Sequence, residues 1–186
     1  MKIKLLLATL LLCSACANVP VKETYTDYLL PNSLIEFTGT DMETAANGFS
    51  EWIDKNQIID CSWTEDGIIL TATDQQRDRI IGEYIGFAED KLSDLMEEND
   101  FYKYSYSSDY KTLNVYIDER VLNETLLIAI VSSVYGLGLS QVMKTGDPDW
   151  KVTLTVYNCH TGKEVGTCTL PGDGLSINDD DWKASY

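Results

Sequence analysis

Basic residues are scarce in this chain of 186 residues, which has 14 lysines and arginines against 30 aspartates and glutamates. The net charge of −16 repels nucleic-acid backbones and anionic lipid headgroups, so the composition excludes nucleic acid as a partner. Such a charge favours solubility, and it also favours a basic protein partner over an acidic one. Recruitment of a partner needs a patch of one sign, and the best candidate is the segment 173–181, with four acids and no base.

Histidine is nearly absent, because His160 is the only one, and the three cysteines that follow residue 16 form no C-x-x-C pair. Zinc needs four nitrogen or sulfur ligands at recognisable spacing, so the sequence predicts no metal site and no cofactor. A Ser-His-Asp triad would have to be built around His160 alone. Its turn, NCHTGKEV, has no serine or carboxylate at a spacing that would indicate a catalytic group. We therefore interpret His160 as an exposed turn residue.

Two short motifs match those of serine hydrolases of the penicillin-recognising type, but in the wrong context. The segment from Ser108 to Lys111 matches S-x-x-K, and the segment from Lys144 to Gly146 matches K-T-G. That chemistry needs the serine and the lysine one turn apart at the start of a helix. Here S-x-x-K falls in a polar hairpin loop, K-T-G falls at a helix end, and no S-D-N lies between them. The sequence therefore predicts no enzyme.

Long apolar runs are also lacking beyond the N-terminus. The most apolar internal segment, 126–139, has 14 residues, whereas a membrane span needs about 20. We therefore expect this segment to be a buried helix.

The first residues, MKIKLLLATLLLCSACANVP, follow the order of a secretory signal peptide, with Lys2 and Lys4 first, then an apolar stretch, then small residues. Ser14 and Ala15 precede Cys16, as small residues precede the acylated cysteine of a lipobox. The segment thus resembles the N-terminus of a bacterial lipoprotein. The resemblance covers the first sixteen residues only, and it departs from the motif at Cys13, where an aliphatic residue is usual.

The resemblance implies that residues 1–15 are a signal peptide and that Cys16 carries lipid, which attaches the protein to a membrane at the extracytoplasmic face of the bacterial envelope. Removal of Lys2 and Lys4 leaves 12 basic residues against 30 acidic ones, a net charge of −18. Ordinary cleavage before Asn18, after Ala15-Cys16-Ala17, is the alternative.

The rest of the chain fits one domain. We predict a lipidated N-terminus and tether over 16–32, an α+β domain over 33–172, and a loose acidic tail over 173–186. Helical periodicity and turn signals define the following segments: a helix over 41–56, strands over 58–63 and 67–73, a helix over 74–99, strands over 101–107 and 112–118, a helix over 121–143, and a hairpin of strands 150–158 and 165–170.

From residue 67 onward, these segments follow the order of the ferredoxin-like split βαββαβ fold, with both helices on one sheet face. An extra C-terminal hairpin strand and an N-terminal helix and hairpin complete the predicted α+β architecture. The helix predicted over 121–143 carries small residues that would let another element approach it closely: Ser132, Ser133, Gly136 and Gly138.

Cys159 and Cys168 flank one hairpin, so we predict a disulfide between them and a free Cys61. A four-residue turn would place Cys159 opposite Glu164, so the bond requires a longer loop or a bulge. The alternative is two separate thiols packed in the core.

Tyr102, Tyr104 and Tyr106 fall on one face of a predicted strand, where they could stack against sugar rings or a peptide. The other face carries the more polar residues, so we expect the tyrosines to face the helices, with their hydroxyls at the rim. These tyrosines, together with Asp179, Asp180 and Asp181, form the possible binding surface.

We therefore expect a lipid-anchored binding or assembly module of the bacterial envelope. Two alternatives are an envelope hydrolase with a site assembled from scattered residues, and a structural subunit that recruits strands at an exposed sheet edge. A deep pocket with perturbed carboxylates would favour the hydrolase, an exposed apolar patch would favour binding, and an uncovered straight edge strand would favour assembly.

Overall fold

The chain forms two sheets and five α-helices in the computed structural model, which describes residues 23–98, 103–121 and 123–186. The elements, in chain order, are β1 (Tyr25–Pro31), α1 (Asn32–Phe37), α2 (Met42–Asp54), β2 (Asp60–Thr64), β3 (Gly67–Thr73), α3 (Asp74–Glu98), β4 (Lys103–Tyr106), β5 (Thr112–Ile117), a 3-10 turn (Glu119–Val121), α4 (Glu124–Thr145), β6 (Val152–Asn158), β7 (Glu164–Leu170) and α5 (Asp179–Ala184).

The first sheet has three antiparallel strands in the order β1-β3-β2, and the second has four strands in the order β4-β5-β6-β7. In the second sheet β5 and β6 run parallel, and the two outer pairs are antiparallel. Helices and mainly antiparallel strands thus confirm the predicted α+β class.

The ferredoxin-like arrangement is not the one the sheets adopt, because it would place β3 in the same sheet as β5 and β6. β1 pairs with β3 along its whole length, from Tyr25 opposite Thr73 to Pro31 opposite Gly67, and β2 pairs with the other edge. Both edges of β3 are therefore occupied, and β5 pairs directly with β6 instead.

The segment predicted as a tether, 16–32, contains strand β1 and the first residue of α1, so the prediction is wrong from Tyr25 onward. Tyr28 and Leu30 alternate with more exposed residues and are buried in the core. The alternation of these two side chains provides the apolar face of an edge strand.

Helix α4 lies at the centre of the molecule, where it packs against α3 and contacts both sheets through β1 and β6. Asn123 caps its first turn by accepting a hydrogen bond from the Leu126 N–H at 2.9 Å, and Gly146 ends it in the left-handed conformation (φ 72°). The predicted close approaches occur: a Cβ at Gly136 would lie 3.1 Å from the Tyr84 carbonyl oxygen, and one at Gly138 would lie 2.6 Å from the Trp150 ring.

The apolar part of α4 is longer than expected. Residues Thr125–Thr145 form a helical stretch of 21 residues with a mean hydropathy of 1.8, long and apolar enough to cross a membrane by length and composition. However, 72% of its most apolar 18-residue window is buried inside the domain, as expected for the predicted buried helix.

The segment predicted as a loose tail, 173–186, packs against the domain. Trp182 of α5 is buried, and the Asn158 side-chain amide donates to the Ser185 hydroxyl at 2.9 Å. Asn178 and Asp181 form a capping box at the start of α5. The prediction rested on the acidic residues, but those lie on the outer side of a short helix whose one aromatic residue faces the core.

Candidate functional site

Helices α3 and α4 expose large apolar side chains toward the same side of the molecule. Leu127, Ile128, Val131 and Tyr135 follow one another at helical spacing along α4, and Phe87 of α3 lies across from them. The exposed fractions are 47% for Phe87 and 59% for Ile128, with Leu127 and Val131 at similar values. Side chains of this size are rarely exposed as a contiguous group on a soluble protein without a binding role.

These residues surround a cavity of about 470 Å³, which we call the apolar groove. The complete lining is Thr38, Tyr84, Phe87, Leu127, Ile128, Val131, Ser132 and Tyr135. None of these side chains is charged at neutral pH. The Lys91 ammonium lies 5.4 Å from the centre of the Phe87 ring. A basic group therefore lies beside the groove on the α3 side.

A second cavity of about 300 Å³ adjoins the groove and shares Thr38, Tyr84 and Tyr135 with it. The rest of its lining comes from α1, α2 and the loop between them: Ile35, Thr40, Ala45, Gly48, Phe49 and Trp52. The two cavities together reach the size range of small-molecule sites in proteins, about 300–1,000 Å³.

A row of aromatic rings runs along the second cavity and reaches the apolar groove through Tyr84 and Tyr135, which line both cavities. The ring centres of Phe49 and Trp52 are 4.8 Å apart, those of Trp52 and Tyr84 are 5.9 Å apart, and those of Tyr84 and Tyr135 are 5.8 Å apart. The last pair joins α3 to α4 at the position where Gly136 lets the helices approach. The row therefore depends on the same close helix contact that forms the core.

The polar groups of the groove are weak acids that stay neutral. Tyr84 and Tyr135 pack ring against ring, and burial raises the pKa of both phenols. Thr38 and Ser132 add two hydroxyls. The lining thus offers a few hydrogen-bonding groups and a large apolar surface, which suits a ligand with a long apolar part and a small polar end.

A second cluster, of Asp118, Arg120, Cys159 and His160, lies at the other sheet, and we call it the Asp118 cluster. Strands β5 and β6 are parallel and end together, with Ile117 opposite Asn158, so the residues that follow each strand meet at one edge. The Asp118 side chain is only 3% exposed. It accepts hydrogen bonds from Arg120 Nε at 2.8 Å, from Arg120 Nη2 at 2.7 Å and from His160 Nε2 at 2.6 Å.

Electrostatics in the Asp118 cluster favour the ionised carboxylate. Hydrogen bonds from Arg120 hold the pKa of the Asp118 carboxyl well below its usual range. Burial raises the pKa of the neighbouring Cys159 thiol, and the Asp118 charge raises it further. Cys159 is therefore a neutral thiol at neutral pH rather than an activated nucleophile. His160 is bonded to a buried acid, and the interpretation of it as a plain exposed turn residue is incomplete.

The predicted disulfide between Cys159 and Cys168 is absent, because all three described cysteines are free thiols. Cys168 lies opposite Leu154, five residues before Cys159 on the partner strand, and a strand rises about 3.3 Å per residue. The two residues are therefore about 16 Å apart along the hairpin, too far for a bond that needs Cα atoms within about 7 Å. The register shift at Val156 and Tyr157 does not close this gap.

The predicted binding-surface tyrosines face the helix, as we expected for a core position. The Tyr104 hydroxyl lies 3.3 Å from Ser93 Oγ, and the Tyr106 hydroxyl donates to Glu89, both on α3. Burial and this carboxylate raise the pKa of Tyr106. Tyr102 lies outside the described residues. Tyr104 and Tyr106 thus belong to the packing between β4 and α3.

The predicted acidic patch, residues 173–181, carries less net negative charge in the structure than its sequence implies. Asp181 belongs to the capping box of α5, and Asp180 is paired with Lys183 at 2.9 Å. Asp179 and Asp180 are exposed. The lysine lies two positions beyond the segment from Asp173 to Asp181, and the helical turn brings it back among these acids. Cys16, the predicted lipid site, lies outside the described residues.

The two hydrolase-like motifs do come together in space, but not through the groups that the chemistry needs. The Lys144 ammonium donates to the Ser108 backbone carbonyl at 3.0 Å and lies 4.9 Å from the centre of the Tyr110 ring. Ser108 is in the turn between β4 and β5 rather than at the start of a helix. These contacts join that turn to the end of α4, and they do not form a nucleophile with its base.

Sequence reasoning did not find the apolar groove. The one available signal was that α4 is apolar nearly all round, which is more than a single core can bury. The Asp118 cluster gave no signal at all, since 42 residues separate Asp118 from His160. Comparisons with protein-family models, with curated proteins and with solved structures found no match.

Proposed function

We propose that the protein is a lipid-anchored binding module of the bacterial envelope, attached through Cys16, whose apolar groove takes up an acyl chain. The observation that carries the proposal is the group of four half-exposed apolar side chains, Phe87, Leu127, Ile128 and Val131, around a cavity of about 470 Å³. A lipid anchor would hold this groove close to a supply of acyl chains.

The energetics support a binding role. Covering a half-exposed apolar side chain contributes about 1 kcal/mol, so the four residues contribute about 4 kcal/mol together. That amount alone corresponds to a dissociation constant of about 1 mM. Burial of the ligand's own apolar surface and contact with the aromatic row then strengthen binding toward the micromolar range.

The chemistry of the lining favours binding over hydrolysis. The acidic groups that line the groove are the phenols of Tyr84 and Tyr135, whose raised pKa values keep them neutral. Asp118, a carboxyl whose pKa is strongly lowered, is held by Arg120 in a separate cluster. An acyl chain needs the apolar surface and at most one hydrogen bond at its polar end, which Tyr84, Tyr135, Thr38 or Ser132 can supply.

Titration of the protein without its signal segment with a dansyl-labelled long-chain fatty acid tests this proposal. We expect Ile128→Gln to weaken binding about tenfold, because it places an amide in the groove and removes about 1–2 kcal/mol of apolar contact. Ile59→Gln is the matched control, since Ile59 is 40% exposed and is not part of the groove. Equal loss of affinity in both variants, or no binding by the unmodified protein, would contradict the proposal.

Strand recruitment is supported by a separate observation. β2 is an edge strand of the first sheet, and its Trp63 is 63% exposed. Edge strands with exposed aromatic residues pair readily with other strands. Sedimentation of the unmodified protein and of Trp63→Lys over a concentration series separates the two functions, because assembly through β2 is lost in this variant while fatty-acid binding is retained.

A basic protein partner stays a prediction from the net charge of −18. Exposed Asp179 and Asp180 support it, whereas the ion pair with Lys183 lowers the local negative potential. Capture of a basic partner that weakens with salt and with Asp179→Asn would support this role beside the groove.

A further inference from the structure

Three chemically different metal-binding groups converge at the carboxyl ends of β5 and β6. Asp118 follows β5, and Cys159 and His160 follow β6. One carboxylate oxygen, the thiol sulfur and one imidazole nitrogen all lie within 4.8 Å of one another. This convergence results from the parallel pairing of β5 with β6, and it is independent of the apolar groove.

We propose that Asp118, Cys159 and His160 bind a zinc ion, with a fourth position open to water or to an external ligand. Oxygen, sulfur and nitrogen donors of these residues all serve as ligands of Zn²⁺, at about 2.0–2.3 Å. Tetrahedral geometry at those bond lengths places the donor atoms about 3.5 Å apart. The donors therefore move by about 1 Å to close around the ion, which side-chain rotation can provide at residues in a turn.

Arg120 is the competitor for this site. In the metal-free protein its guanidinium neutralises Asp118 with two hydrogen bonds, and a zinc ion would replace it as the counter-charge. The Arg120 side chain is 74% exposed, so it can move into solvent without leaving a cavity in the core. Asp118 keeps its hydrogen bond from the Arg120 backbone N–H at 2.9 Å, which holds the carboxylate in place for the ion.

The protons released when zinc binds can be counted from the protonation states of the three ligands. Asp118 is already ionised, and neutral His160 ligates through a nitrogen lone pair, so that its ring proton resides on the other nitrogen. Cys159 loses its thiol proton to solvent as the metal–sulfur bond forms. One proton is released for each ion bound, and the hydrogen bond between His160 and Asp118 is exchanged for two bonds to the metal.

Cobalt(II) tests the site, because it takes the place of zinc and reports a bound thiolate by a charge-transfer absorption in the near ultraviolet. We expect the unmodified protein to bind one Co²⁺ with this band, and Zn²⁺ to displace it. Cys159→Ser should abolish the band and weaken Zn²⁺ at least about a hundredfold, and His160→Gln should weaken Zn²⁺ by a similar factor. Cys61→Ser, which removes a thiol on β2, should leave both unchanged.

Arg120→Gln distinguishes a metal site from a purely structural cluster. Removal of the competing guanidinium should tighten Zn²⁺ binding about tenfold, since its two charged hydrogen bonds to Asp118 stabilise the metal-free state. A structural cluster would only lose stability in this variant. Absence of the thiolate band, a band that survives in Cys159→Ser, or unchanged Zn²⁺ affinity in Arg120→Gln would each overturn the proposal.

Discussion

One buried carboxylate joins three parts of the chain that are distant in sequence. Asp118 binds the side chain and backbone of Arg120, which begins the connection to α4, and His160, which lies in the β6–β7 turn. A buried acid with four hydrogen bonds is favourable only while its partners stay in place. The residue therefore holds the end of the second sheet together, whether or not a metal is bound.

Asp118→Asn tests this structural role. We expect it to lower the free energy of unfolding by about 3 kcal/mol in urea, with a chelator present, because the change removes the charge that Arg120 and His160 surround. Asp173→Asn is the control, since Asp173 is exposed, and it should change stability by less than about 0.5 kcal/mol. Equal stability of the two variants would show that the cluster contributes nothing to folding.

The tyrosine pair of the groove has a consequence at alkaline pH. Tyr84 and Tyr135 have raised pKa values in the folded protein, so above pH about 10 the unfolded chain ionises these phenols while the folded chain keeps their protons. The stability linked to them is fully present below that pH and is lost as the pH rises through the folded pKa. The expected slope is about −1.4 kcal/mol per pH unit for each phenol.

Urea unfolding of the unmodified protein and of Tyr135→Phe between pH 9 and about 11.5 measures this effect. The variant has one phenol fewer, so its stability should fall less steeply above pH 10 by about one such increment. Parallel curves for the two proteins would mean that Tyr135 ionises equally in both states, which burial against Tyr84 does not allow.

At the scale of elements, two glycines of the long helices differ in their surroundings. A Cβ at Gly138 of α4 would lie 2.6 Å from the Trp150 ring and 3.1 Å from Leu34, whereas a Cβ at Gly82 of α3 meets no atom within 4 Å. Trp150 is fully buried, so its ring has no free space to move into. Packing around Gly138 therefore leaves no room for a side chain, whereas a methyl side chain at Gly82 would contact nothing.

Replacement by alanine should therefore have opposite effects at the two positions. Gly138→Ala should lower the free energy of unfolding by about 1–3 kcal/mol through overpacking. Gly82→Ala should raise it by up to about 1 kcal/mol, because alanine favours the helix and loses less backbone entropy on folding. Thermal and urea unfolding of both variants provide the measurement, and a gain of stability in Gly138→Ala would contradict the packing described for α4.

At the scale of the whole molecule, we expect the location of the protein to depend on the first sixteen residues, which resemble those of a lipoprotein. We expect mass spectrometry of the protein from membranes to find an N-terminus at Cys16 with added acyl chains. Cys16→Ser should release the protein from the membrane fraction, because the variant carries no lipid and its signal segment can still be cleaved after Ala17, where the A-x-A pattern is kept. An unmodified chain that begins at Asn18 would contradict lipidation.

Much of the local structure could be predicted from the sequence. Apolar residues at helical spacing placed helices over 41–56, 74–99 and 121–143, close to α2, α3 and α4. Alternation and turn signals placed the strands of three hairpins, β2–β3, β4–β5 and β6–β7, and small residues predicted the close approach to α4 at Gly136 and Gly138. These features depend on neighbours within a few residues, and such neighbours are visible in a linear pattern.

Partners that are distant in the chain were decided by the tertiary structure alone. No local signal showed that β1 would occupy the edge of β3 and so separate the sheets, or that Asp118 would meet His160. The apolar residues of α4 looked alike in sequence, but packing buried Val134 and Leu137 and left Leu127, Ile128 and Val131 exposed beside Phe87. The sequence by itself thus determined the chemistry of each residue and the helical or strand periodicity of each segment. Which apolar faces pack against each other was decided only in three dimensions, where all apolar surfaces compete for burial.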